Sequence, residues 1–134
     1  MSITRAQQQD FLLRNGLASE YLEVAKIWFE PLANSIIQQS NLSAAPLVIG
    51  INGCQGSGKT TLAEYLSLML NAAGLNSMSM SMDDFYLTRS QRTFLGDTVH
   101  PLLKTRGVPG THDVSLLLET LSHLKKNQND VAVP

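Results

Sequence analysis

The chain has 134 residues, with 10 basic against 11 acidic side chains, a formal net charge of −1, 43% hydrophobic residues and 16% charged ones. These values belong to an ordinary globular chain of one domain's length and exclude a disordered tail, which needs few apolar residues and a large net charge. The balanced charge also excludes a generic nucleic-acid binder, which must displace counterions with a basic excess, and no apolar run approaches the roughly 20 residues that span a bilayer.

Residues 6–40 are rich in helix formers. Tyr21, Ala25, Trp28, Leu32 and Ile36 recur at steps of three and four, flanked by Leu22, Phe29, Ala33 and Ile37. This stripe predicts an amphipathic, core-facing helix within an N-terminal helical segment, residues 1–45. Gly16 separates it from a shorter helix around Phe11–Arg14, and Pro31 either kinks the long stretch or begins a second helix. After a polar linker at Asn41–Pro46, the run Leu47-Val48-Ile49-Gly50-Ile51 suits a parallel strand buried on both faces. Lys59–Asn71 returns to helical spacing through Leu62, Tyr65, Leu66 and Leu70, with Gly74 as its C-cap. Met78, Met80 and Met82 alternate with serines, predicting a second strand with the methionines as core filler. From Asp83 to Thr111 the chain reads as an irregular, functional loop. Asp113 is the expected N-cap of a helix over Val114–Lys126, and Val131–Val133 the start of a third strand.

The chemistry concentrates in Gly53-Cys54-Gln55-Gly56-Ser57-Gly58-Lys59-Thr60, which satisfies the G-x-x-x-x-G-K-[ST] (Walker A) pattern between a predicted strand and a helix. Glycines let successive backbone N–H groups converge on phosphate oxygens, and the following helix points its positive end at the same anion. Lys59 would reach the β- and γ-phosphates, and the Thr60 hydroxyl would join a Mg²⁺ shell, with Thr61 next in the nucleotide-binding stretch. Cys54 fills a variable position of the motif. The pattern points to a nucleoside triphosphate without separating a kinase from an ATPase or a GTPase.

A second cluster, Asp83-Asp84-Phe85-Tyr86, stands where the second strand should end. In an open α/β sheet that end faces the ligand crevice, so these carboxylates are expected near the phosphates. One could take a proton from an attacking hydroxyl while the other orients metal-bound water; alternatively, one or both simply cap a turn.

Ile49–Asn52 running into the phosphate loop, followed by Met82-Asp83-Asp84-Phe85-Tyr86-Leu87-Thr88, resembles the small-metabolite P-loop kinases, a group that includes uridine kinase, phosphoribulokinase and pantothenate kinase. Arg106-Gly107-Val108-Pro109-Gly110-Thr111-His112-Asp113 ahead of a leucine-rich helix narrows the resemblance to the D-glycerate 3-kinase branch. It runs from about Pro46 to Pro134 and implies phosphoryl transfer from ATP to a hydroxyl of a small metabolite, D-glycerate being the acceptor it suggests. Asp83 matches the base of that family. With Lys59 it forms the implied catalytic pair, and with Thr60 and Asp84 the implied metal set. Tyr86, beside Phe85, would shape the acceptor pocket, and Arg106 and His112 would face the acceptor. Arg106 could grip a carboxylate with its planar fork or be a solvated surface arginine, and His112 could serve only to steady the loop.

The resemblance implies an α/β fold with a three-layer, P-loop NTPase-type parallel sheet and an N-terminal helical extension. Residues 46–134 would be the N-terminal part of a kinase domain. Family members continue with further strands, a lid and an adenine-contacting segment, so the sheet is expected to be incomplete, with about three strands, and its open edge to invite a homodimer. Three readings follow: a metabolite kinase, a nucleotide-binding module that holds ATP without transfer, and a catalytically incompetent fragment that self-associates. The expected partners are ATP and a small acceptor, with neither nucleic acid nor membrane. The N-terminus lacks the layout of a secretory signal and Cys54 has no internal partner, so the expected location is the cytoplasm.

Overall fold

The computed structural model describes residues 3–126. The chain divides between Ser79 and Met80 into two compact units.

The first unit is built from three helices, α1 (Arg5–Asn15), α2 (Tyr21–Leu42) and α3 (Lys59–Ala72). Thr4 opens α1 reciprocally: its hydroxyl accepts the Gln7 N–H at 3.3 Å, and the Gln7 side chain accepts the Thr4 N–H at 2.8 Å. Gly16, at φ 60°, ends the helix, with the Leu17 N–H reaching the Leu12 carbonyl and the Gly16 N–H that of Leu13. Gly74, at φ 84°, closes α3 in the same way, through Leu75 to Leu70 and Gly74 to Asn71. Both ends need a left-handed residue, which glycine adopts without a Cβ penalty. α2 runs unbroken through Pro31. The missing proline N–H leaves the Ile27 carbonyl without its helical partner, on an exposed face where water can serve it.

The core of this unit is aromatic. Phe11 of α1 meets Tyr65 of α3 edge-on at 5.3 Å between ring centroids, and Tyr21 and Phe29 of α2 lie 6.0 Å from Phe11 and Tyr65 respectively. Phe11 and Tyr65 are fully buried, each contributing roughly 1.5–3 kcal/mol of transfer free energy. Burial, reinforced by the neighbouring Glu30 carboxylate, pushes the Tyr65 phenol up to about 12, and burial raises Tyr21 too. Glu64 of α3 ties down the end of α1 by pairing with Arg14 and accepting from the Asn15 amide at 2.8 Å. The buried side of α2 is Ala25, Ala33 and Ile36, with Leu22 and Phe29 packed against it, whereas Trp28 is 70% and Leu32 42% exposed. The predicted stripe is therefore split: Ala25 and Ile36 face the core with Tyr21 packed against it, while Trp28 and Leu32 turn away. The buried face is rotated from the predicted stripe towards its flanking residues Leu22, Phe29 and Ala33.

The expected parallel sheet is not present among the described residues, which contain no strand and only one isolated bridge, between Tyr86 and His112. The α/β, three-layer P-loop reading is corrected accordingly. Leu47, Val48 and Ile49 are exposed and join no ladder, and the Met78–Met82 stretch ends in a 3₁₀ turn. An apolar run or a period of two marks a segment fit to be a strand, but a strand exists only where another backbone takes up its hydrogen bonds. Instead, Ser77 folds back on α3, its N–H and hydroxyl bonding the Asn71 side chain. Without a sheet, the open edge proposed for a homodimer loses its basis, as does the placement of Asp83 and Asp84 at the carboxyl end of a strand. Val131–Val133 lies outside the described residues.

The second unit contains a 3₁₀ turn at Met82–Phe85, α4 (Arg89–Thr98), a second 3₁₀ turn at Pro101–Lys104, and α5 (Val114–Lys125). The stretch expected to be irregular thus holds a ten-residue helix. Its start signal is Thr88-x-x-Gln91: the Thr88 hydroxyl accepts the Gln91 N–H, and the Gln91 side chain accepts the Thr88 N–H at 2.9 Å. α4 packs on the 101–104 turn through Gly96, where a Cβ would come within 2.8 Å of Lys104 Cε, and Lys104 pairs with Asp97. Asp113 caps α5 as expected, accepting the Leu116 N–H at 2.9 Å.

Candidate functional site

The phosphate-loop residues lie in the first unit. The loop turns at Gly56 (φ 78°) and Gly58 (φ 83°) and runs straight into α3. The Ser57 N–H and the Lys59 ammonium both donate to the Cys54 carbonyl, at 3.2 and 2.8 Å. Lys59 is therefore folded back on its own loop. Gly53 is there for space: the Ser57 hydroxyl occupies the volume a Cβ would need, 2.6 Å away. Gln55, Thr60 and the rest of the loop are exposed, while Lys59 and Thr61 are half-buried. Side chains cap α1, α4 and α5 at Thr4, Thr88 and Asp113; α2 has no side-chain cap, and neither does α3. The first-turn N–H groups of α3 are open donors at the positive end of a fourteen-residue helix, the arrangement that attracts an anion.

Asp83, Asp84, Tyr86, Arg106 and His112 lie in the second unit. Ser81 caps the turn that carries the aspartates, its hydroxyl accepting the Asp83 N–H at 3.1 Å while Asp84 Oδ2 accepts the Ser81 N–H at 3.3 Å. Asp84 thus does structural work. The Asp83 carboxylate is exposed and has no hydrogen-bond partner among the described residues. Phe85, buried beneath, anchors the turn.

The two motifs of this unit lie side by side. The Asp113 N–H donates to the Phe85 carbonyl at 2.7 Å, and the Leu87 N–H to the Thr111 carbonyl at 2.9 Å, bracketing the antiparallel Tyr86–His112 bridge. The Tyr86 ring stacks on the His112 imidazole, with centroids 4.0 Å apart and planes 25° from parallel, and the Arg106 guanidinium carbon lies 5.3 Å from the Tyr86 centroid. The three residues assigned to the acceptor form one cluster. An arginine held over an aromatic face keeps its in-plane N–H donors available for a carboxylate.

Sequence reasoning missed what holds this cluster. Thr111 is fully buried, and its hydroxyl donates to the Val108 carbonyl at 2.6 Å, closing the 108–111 turn that directly precedes His112. Gly107 sits at φ 90°, with its Cβ position 4.0 Å from the Tyr86 hydroxyl. A buried threonine beside two glycines is the available signal, yet composition cannot separate it from an ordinary turn.

Curated relatives match most of the chain. It is 37% identical over 100 residues to an uncharacterized kinase of Schizosaccharomyces pombe, covering 72% of this chain and 36% of the relative. It is 39% identical over 105 residues to the chloroplastic D-glycerate 3-kinase of Arabidopsis thaliana, covering 75% and 23%. A pantothenate kinase of Streptococcus gordonii is 31% identical over 112 residues, covering 81% and 35%. The relatives are kinases. The chain spans little more than a third of their length at most. No family model and no solved structure matches it.

No helix among the described residues is long and apolar enough to cross a membrane. They also hold no group of three or more His, Cys, Asp or Glu side chains that could by itself enclose a metal ion.

Proposed function

We propose that the chain is an ATP-dependent phosphotransferase acting on a hydroxyl of a small metabolite, with D-glycerate the first acceptor to test. The observation that carries this reading is the motif loop 53–61 at the uncapped N-terminus of α3, in a chain whose relatives are named kinases. Gly53, Cys54, Gln55, Gly56, Ser57, Gly58, Thr60 and Thr61 bind the phosphates largely through backbone N–H groups. Lys59 exchanges the Cys54 carbonyl for the β- and γ-phosphate oxygens. The hydroxyl of Thr60 in the first unit and the carboxylates of Asp83 and Asp84 in the second each offer the hard oxygen donors that Mg²⁺ prefers. Mg²⁺ takes few protein ligands and fills its shell with phosphate and water. When bound, the ion neutralises charge on the phosphates. Asp83, whose carboxylate no described residue engages, takes the proton of the acceptor hydroxyl. Tyr86, Arg106 and His112 hold the acceptor, Arg106 through a carboxylate, the group that distinguishes glycerate from a neutral sugar. A reducing compartment, the cytoplasm, suits a chain whose only cysteine lies exposed in the phosphate loop.

Mg-ATP calorimetry and an acceptor screen test this reading. Lys59→Ala should abolish ATP binding, and Asp83→Asn should remove turnover while ATP affinity stays. No Mg-ATP binding by the unmodified chain would sink the proposal, and binding without turnover on any acceptor would replace it with a nucleotide-holding module.

A further inference from the structure

Arg92 of α4 is only 9% exposed and forms no ion pair among the described residues. A buried arginine without a carboxylate is uncommon, since desolvating the guanidinium is costly unless its donors are used. Here they go to backbone: Nε donates to the Leu87 carbonyl at 3.1 Å and Nη1 to the Lys104 carbonyl at 2.9 Å. Leu87 directly follows Tyr86, and Lys104 stands two residues before Arg106. One rigid, planar group therefore joins the segment carrying the Tyr86 ring to the segment carrying the Arg106 fork. The Lys104 side is fixed a second time by its contact with Gly96 and its pairing with Asp97. The Leu87 side is fixed again by the Thr111 carbonyl.

We propose that Arg92 is the positioning residue of the acceptor cluster, setting through these two carbonyls the separation at which Arg106 lies over Tyr86. This rests on the reading of that cluster as the acceptor site. Lysine cannot replace it, because an ammonium offers point-charge donors without a fork of fixed span.

The test uses the full chain with Arg92→Lys and Arg92→Gln, read by NMR and by kinetics. In the unmodified protein the side-chain protons of Arg106 should be displaced by the ring current of Tyr86. Both variants should lose that displacement while keeping a dispersed spectrum. The kcat/KM for the acceptor should fall on the order of 100-fold, the scale of a displacement of about 1 Å, through KM for the acceptor and with KM for ATP unchanged. Unchanged Arg106 shifts in a folded variant would overturn the proposal. Collapse of the spectrum of residues 80–126 in both variants would overturn it too, by making Arg92 a general support rather than the determinant of one spacing. If the unmodified chain turns over no acceptor, the kinase reading fails, and the NMR arm still decides the role of Arg92.

Discussion

The glycines of the phosphate loop are required for two different reasons, and substitution separates them. Gly58 sits at φ 83° with nothing within 4 Å of its Cβ position, so its requirement is conformational. Gly58→Ala places a side chain in the left-handed region at a cost of about 1–2 kcal/mol, and no neighbour can be trimmed to recover it. Gly53 has no such φ; its Cβ would stand 2.6 Å from Ser57 Oγ, but 3.5 Å from Ser57 Cβ and 3.4 Å from Lys59 Cγ. In Gly53→Ala the Ser57 hydroxyl must leave its rotamer, at about 0.5–1.5 kcal/mol. Adding Ser57→Ala removes the clashing oxygen and leaves ordinary contacts. Thermal unfolding followed by circular dichroism reads both cases, since about 1 kcal/mol moves the midpoint by roughly 4–8 °C in a unit of this size. The double variant Gly53→Ala/Ser57→Ala should melt above Gly53→Ala, while Gly58→Ala/Ser57→Ala should gain nothing over Gly58→Ala. Equal rescue of both, or of neither, would refute the distinction.

Two further outcomes follow from the packing. Tyr65 ionises near 10.0 in the unfolded chain, whereas burial and then Glu30 hold it to about 12 when folded. Below pH 10 both states keep the proton; between pH 10 and 12 only the unfolded chain ionises, so stability should fall with rising pH, by about 3 kcal/mol across the window. Melting curves of Tyr65→Phe should lack this part of the alkaline decline, and an identical decline would show that another group causes it. Thr111→Val removes a buried hydroxyl but leaves the Val108 carbonyl its second donor, the Thr111 N–H. Denaturant unfolding should register about 1 kcal/mol, the worth of one hydrogen bond without an orphaned acceptor, and a loss above about 3 kcal/mol would contradict that accounting.

Features complete within a few neighbouring residues could be read from sequence alone. The glycine loop opening α3, the Gly74 stop and the Asp113 cap all rest on bonds between residues at most five apart. The Thr88-x-x-Gln91 start of α4 was equally local and announced a helix inside a stretch that reads as loop. The Tyr86–Arg106–His112 grouping was different. Its members were named from motif resemblance, but what assembles them is backbone pairing across some 25 residues together with a buried arginine whose partners are carbonyls, and carbonyls leave no trace in a sequence.

The sequence by itself determined α1, α2, α3 and α5, the Asp113 cap and the Walker A pattern, because an α-helix satisfies its backbone from within its own segment. Tertiary structure decided the rest. On α2 it buried Ala25 and Ile36 of the predicted stripe together with the flanking Ala33 and left Trp28 in solvent, because the choice depends on the surfaces that α1 and α3 offer. Among the described residues it gave Leu47–Ile51 and the methionine-serine alternation no ladder. A helix carries its hydrogen-bond partners along the chain, whereas a strand must find them in another segment.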